Sequence, residues 1–96
     1  MDRIIISLSP VERIHKVFVI KNDNLVDQCG VCVENLPEVI TMAADKYNIA
    51  NIDISGVKAY TEKIGIDIEK YNLTNYTNRE LNIYYVEGDK NVKVSY

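Results

Sequence analysis

Alternation of apolar and polar positions opens the chain and then gives way to a longer period. "RIIISLS", residues 3–9, is a β-branched run closed by Pro10, which cannot donate to a sheet ladder, and it reads as a first strand. "HKVFVIK" (15–21) and "LVDQCGVCV" (25–33) are β-rich runs on either side of Asn22, Asp23 and Asn24, which is the pattern of a hairpin. Both hairpin strands are largely apolar, so helices are expected to cover at least one face of the sheet.

From Leu36 the period lengthens. Leu36, Val39, Ile40, Ala43, Ala44 and Tyr47 recur at three- and four-residue steps and form one stripe of an amphipathic helix. Asn35 stands at the N-cap position, Pro37 lies in the first turn where its missing N–H costs nothing, and Glu38 falls where a capping box places its carboxylate. "NIDIS" (51–55) then reads as a short buried strand with Ile52 and Ile54 on one side. Ser55 is expected to cap a second helix, whose stripe is Val57, Tyr60, Ile64, Ile68 and Tyr71, weakened at Gly65. After the polar loop "NLTNYTN", the segment "LNIYYVEGDKNVKVSY" alternates on both sides of Gly88-Asp89-Lys90-Asn91 and reads as a terminal hairpin. The expected order is three strands, helix, strand, helix, strand and one extra strand: an α/β chain of mixed α+β type in a single domain, residues 1–96.

Composition narrows the function classes. At 47% apolar and 26% charged residues the chain has the balance of a soluble globular domain, and its length suits one core. No apolar run is long enough to cross a bilayer, and "MDRIIISLSP" lacks the shape of a secretory signal, so a cytoplasmic location is expected. Eleven basic against 14 acidic residues, scattered and summing to −3, steer the chain toward neither nucleic acid nor an anionic membrane. His15 alone with two cysteines makes no zinc spacing, so no metal and no cofactor is expected. The "NLT" and "NYT" sequons are read as chance in an Asn-rich loop. The leaning toward Ile, Asn, Lys and Tyr, whose codons are rich in A and T, points to an AT-rich bacterium or its phages.

Cys29-Gly30-Val31-Cys32 is the first stretch with candidate chemistry. At the start of a helix the two thiols would share a face, with the helix N-terminus lowering a thiol pKa; in a strand their odd separation puts them on opposite faces. The pattern resembles the thioredoxin active site, with Pro37 five places after the second cysteine. That resemblance implies a small oxidoreductase using Cys29 and Cys32. Asp27 and Gln28 precede the pair where thioredoxins carry aromatic residues, and no proline follows Pro37. The full hairpin also needs this segment as a strand, so the favoured reading is two small buried residues. His15 is read as a surface or packing residue.

The order of elements resembles the ribonuclease H-like fold over Ile4 to about Val86, and "GVKAYTEKI" after a short strand looks like segments of small phage and prophage proteins. The nucleases of that fold hold two metal ions between carboxylates on strand one, the first helix and strand four. Here Ser7 and Ser9 stand where an aspartate belongs, Asp53 alternates with Ile52 and Ile54 and so points away from the core, and Glu38 is accounted for as a cap. The resemblance therefore implies a non-catalytic relative.

Two candidate surfaces remain. If the fold holds, Ser7, Ser9 and Arg13 meet Ser55, Gly56, Lys58 and Tyr60 at the carboxyl ends of the strands, where a helix N-terminus favours a small phosphorylated ligand; the plainer reading is a strand end, a cap and two solvated cations. In the terminal hairpin, Tyr84, Tyr85, Val92, Val94 and Tyr96 could form an interface, since an edge strand guarded only by Lys90 and Lys93 invites another chain. The favoured function is a non-catalytic binding or assembly protein, homo-oligomeric or acting on a host protein. A divergent metal-dependent nuclease and a thioredoxin-like oxidoreductase are the alternatives.

Overall fold

The computed structural model describes residues 1–9, 14–57 and 79–94. Among these residues six strands form one mixed sheet: β1 (Arg3–Ser9), β2 (Ile14–Lys21), β3 (Asn24–Val31), β4 (Asn51–Asp53), β5 (Asn82–Glu87) and β6 (Lys90–Lys93). Their spatial order is β3-β2-β1-β4-β5-β6, with β1, β4 and β5 parallel to one another and the remaining neighbours antiparallel. The helix α1 (Leu36–Tyr47) follows a 3-10 turn at Val33–Asn35, and residues 55–57 are helical. The mixed α/β class expected from the sequence is the class observed, with β1 inside the sheet. Pro10, the second-helix stripe beyond Val57 and the loop "NLTNYTN" lie outside the described residues.

Alternation along β1 explains why it can sit inside. Ile4, Ile6 and Leu8 are buried on one face while Ile5, Ser7 and Ser9 are half-buried on the other. Register extends the apolar row sideways: Val19 on β2, Ile4 on β1, Ile52 on β4 and Ile83 on β5 stand abreast, all buried. Leu36, Ile40 and Ala44 of α1 belong to the same core cluster, so the helix covers this face through its three- and four-residue stripe. Thr41, also buried, satisfies its hydroxyl by bonding the Pro37 carbonyl at 2.9 Å, one turn back.

The β2–β3 turn is set by Asn22 and Asp23, both at positive φ (53° and 63°), the two-residue geometry that Asn and Asp tolerate best. The β5–β6 turn places Gly88 at φ +64°. That hairpin closes within the chain, and Val94 N–H continues it by donating to the Ile83 carbonyl at 2.8 Å.

Several local expectations are corrected. β3 ends at Val31 rather than Val33, because the chain turns there and Asn35 N–H donates to the Cys32 carbonyl at 3.0 Å. Cys29 lies in the strand and Cys32 just beyond it; both are exposed, so neither is a buried residue. The exposure of Cys29 follows from position, since β3 is an outer strand and exposes every residue before Val31. Asn35 is helical in conformation and makes no side-chain cap bond, the preceding 3-10 turn having replaced the expected capping box. Of the two readings offered for His15, surface or packing, the second holds: it is buried, with Leu8 and Val31 as its register neighbours.

Ile52→Ala is expected to cost about 2–5 kcal/mol in denaturant unfolding, because it empties the middle of a row that cannot collapse, whereas Leu25→Ala on the exposed edge should stay within about 0.5 kcal/mol. Equal costs at the two positions would contradict this core. Burial holds the His15 pKa below its ordinary 6.5. The unfolded chain therefore binds a proton near pH 6.5 that the folded chain refuses, so stability is full above that pH and falls on acidification at up to about 1.4 kcal/mol per unit. Unfolding midpoints between pH 7.5 and 5.5 (about one unit either side of the ordinary pKa) should drop for the native chain and stay flatter for His15→Leu.

Candidate functional site

The carboxyl ends of the central strands meet at the β4 terminus. Asp53 alternates away from Ile52 and is half-buried on the opposite face, beside Ile5 on β1 and Tyr84 on β5 in register. Its Oδ1 accepts from Ser55 N–H at 2.9 Å and from the Ser55 hydroxyl at 2.6 Å, an Asx-type turn. The Ser55 oxygen in turn accepts from Val86 N–H at 2.8 Å, and Ile54 N–H donates to the Tyr84 carbonyl at 2.9 Å. The strand end is thus laced to β5 by side chain and backbone together. Ser55 works in this lacing rather than as the expected simple helix cap.

Gly56 sets the distance to β1. A Cβ there would stand 3.0 Å from the Ile6 carbonyl oxygen and 3.1 Å from Ser7 Cα, so the helical segment approaches the strand as closely as a bare backbone allows. Of the residues the sequence grouped here, Ser7, Ser55 and Gly56 come together. Ser9 lies two residues further on, at the carboxyl end of β1, paired with Ile14. Arg13, Lys58 and Tyr60 lie outside the described residues. The Asp53 carboxylate already holds the first helical N–H, the donor an anionic ligand would have needed. Among the described residues no group of three or more His, Cys, Asp or Glu side chains stands close enough to hold a metal ion.

Tyr84 corrects the proposed tyrosine surface. It is 2% exposed on the sheet face opposite Ile83, and burial, then the neighbouring Asp53, raise its phenol pKa while Arg3 opposes them. Tyr85 and Val94 are half-buried against the core cluster, Val92 is half-buried on β6, and Tyr96 is outside the described residues.

A second feature lies at the other edge. Between α1 and the strands β2 and β3 runs a groove of about 250 Å³ lined chiefly by Val17, Val19, Cys29, Val39, Met42 and Ala43. One end is closed by Tyr47, whose hydroxyl donates to Asp27 Oδ2 at 2.7 Å while Lys21 Nζ caps the Tyr47 carbonyl at 2.7 Å. Those bonds tie the helix C-terminus to the β2–β3 hairpin. The Asp27 carboxyl is held below its ordinary pKa first by the Tyr47 bond, then by Gln28 N–H. The Cys29 thiol is pushed up, by burial and then by Asp27. A dithiol catalyst needs the reverse, a thiolate favoured near neutral pH. Sequence reasoning missed this groove; the available signal was Met42, an apolar residue outside the helical stripe and next to its members Val39 and Ala43.

No family model, no curated protein and no solved structure matches this chain. No helix among the described residues is long and apolar enough to cross a membrane.

Gly56→Ala is expected to destabilise the chain by about 1–3 kcal/mol, because the new methyl meets backbone rather than a movable side chain, and this outweighs the roughly 1 kcal/mol helical preference for alanine. A stabilised variant in urea unfolding would show that the close approach is not there.

Proposed function

We propose that this chain is a non-catalytic binding or assembly protein, acting in a cytoplasm through the open edges of its sheet, as a homo-oligomer or on a host protein. The observation that carries the reading is β3, an eight-residue outer strand with all but its last position exposed and with Leu25, Val26 and Met42 among the exposed large hydrophobics around it. Unpaired strand edges of this length are surfaces for another chain. Two exposed, unlinked thiols are in keeping with a reducing compartment. The A/T-biased residue usage and the likeness of "GVKAYTEKI" to small phage proteins favour a phage or prophage accessory role.

A phosphorylated ligand at the β4 end fits less well, since the Asp53 carboxylate lies where its charge would be placed. The nuclease reading has Asp53 as its carboxylate, already bonded to Ser55, with hydroxyls at Ser7 and Ser9. The oxidoreductase reading meets a thiol pKa shifted the wrong way at Cys29. Light scattering from micromolar to sub-millimolar concentrations, run beside cleavage assays on RNA, DNA and junctions with magnesium or manganese, tests the proposal. The expected result is self-association, or capture of a defined partner that edge substitutions on β3 abolish, with no cleavage. Metal-dependent cleavage that disappears in Asp53→Asn would replace this reading with the nuclease.

A further inference from the structure

We propose that two copies of this chain pair edge to edge through β3, antiparallel, about a two-fold axis at Cys29. The inference rests on the assembly reading above and names its surface. Backbone N–H and C=O groups along a sheet edge are satisfied in kind only by another extended chain, so the occupant of this edge is a strand. Of the two outer strands, β6 is four residues long and carries exposed Lys90 and Lys93, the charges that discourage pairing. β3 is twice as long and has one charge, Asp27, and no proline.

The register follows from a bulge. Asp27 stands opposite Val19 and Leu25 opposite Ile20, so Val26 is the extra residue and the alternation reverses there. The regular part of the strand is Asp27 to Val31. A two-fold axis normal to the sheet sets residues of the same face opposite each other, and this five-residue stretch pairs completely with its copy only when centred on Cys29. Asp27 then faces Val31 of the second copy, Gln28 faces its Gly30, and Cys29 faces its own counterpart. Centring on Asp27 would set two carboxylates directly opposite, which is unfavourable. Centring on Cys29 keeps them at opposite ends of the paired stretch.

Charge and apolar cover agree with this register. Cys29 shares the groove with Met42, which is 63% exposed, the most exposed large hydrophobic side chain on α1. Across the axis the two grooves adjoin, so each copy's Met42 flanks the paired Cys29 residues and loses water contact. The resulting sheet runs without interruption through both copies and leaves each β6 at an outer edge.

Directly opposite residues of an antiparallel pair stand about 4.5–5.5 Å apart at Cα, within the span of a disulfide. The test uses the full chain with diamide, which takes up two hydrogen atoms as two thiols become one disulfide. A covalently linked dimer is expected, retained in Cys32→Ala and lost in Cys29→Ala, neither of which adds a charge or bulk that could disturb folding. Without oxidant, light scattering should give twice the chain mass, and Cys29→Lys, which sets two ammonium groups face to face, should halve it with the far-ultraviolet circular dichroism unchanged. A cross-link that requires Cys32, or a dimer that survives Cys29→Lys, overturns the β3 pairing and leaves assembly through another surface standing. A native chain that stays monomeric at every concentration overturns the pairing and the homo-oligomeric reading together.

Discussion

The structure depends on one row of side chains across the sheet: Val19, Ile4, Ile52 and Ile83, abreast on four strands and closed off from water. Side chains alternate faces along a strand, so a slip of one residue in any pairing would turn one member of this row to the opposite face. The row therefore fixes the register of β1 against both β2 and β4, and β4 needs only three residues because its one core side chain is Ile52. It also fixes where α1 lies, since Leu36, Ile40 and Ala44 must cover the apolar face it creates. About 25 cal/mol for each Å² of apolar surface removed from water makes this burial the dominant favourable term, and the backbone ladders follow its registration.

Chemistry at the centre of the sheet is decided by how that register ends. With Ile52 facing the helix, Asp53 must face the other way, and there it is bonded by Ser55, whose hydroxyl oxygen in turn accepts from Val86 N–H of β5. Gly56 lets the following segment press against Ile6 and Ser7, so the space at the mouth of the strands is taken up by main chain. The carboxylate at this strand end, Asp53, is thus used for structure.

The opposite edge has a different balance. Tyr47, Lys21 and Asp27 fasten the end of α1 to the hairpin, yet the helix does not reach the outer strand along its whole length, and a groove remains between them. The bulge at Val26 and the single charge at Asp27 limit how that edge can pair, and in doing so they make one register better than its neighbours. Exposure of Cys29 belongs to this edge geometry, and its thiol is disfavoured as an anion by partial burial and by Asp27.

The element types, their order and the inward faces of β1, α1 and β4 could be read from the chain, because periods of two and 3.6 are local properties that each segment carries by itself. The placement of Cys29, Gly30 and Val31 on a strand was legible for the same reason, from the length β3 needs to pair with β2, although Cys32 falls just beyond its end. Depth within the sheet was not legible. Cys29 and Cys32 look buried in the sequence because they are small and apolar, and for His15 the sequence leaves surface and packing both open, yet β3 is an outer strand and β2 is flanked on both sides. Tyr84 and Tyr85 alternate alike in the sequence, but only the crossing of β4 and β5 decides that Tyr84 is covered beside Asp53. Caps and clamps also belong to the tertiary structure: a 3-10 turn displaced the expected bond from Asn35, and Ser55 was drawn to Val86, 31 residues away along the chain. Periodicity is set by neighbours in the chain, whereas burial and hydrogen-bond partners are set by neighbours in space, which no local pattern specifies.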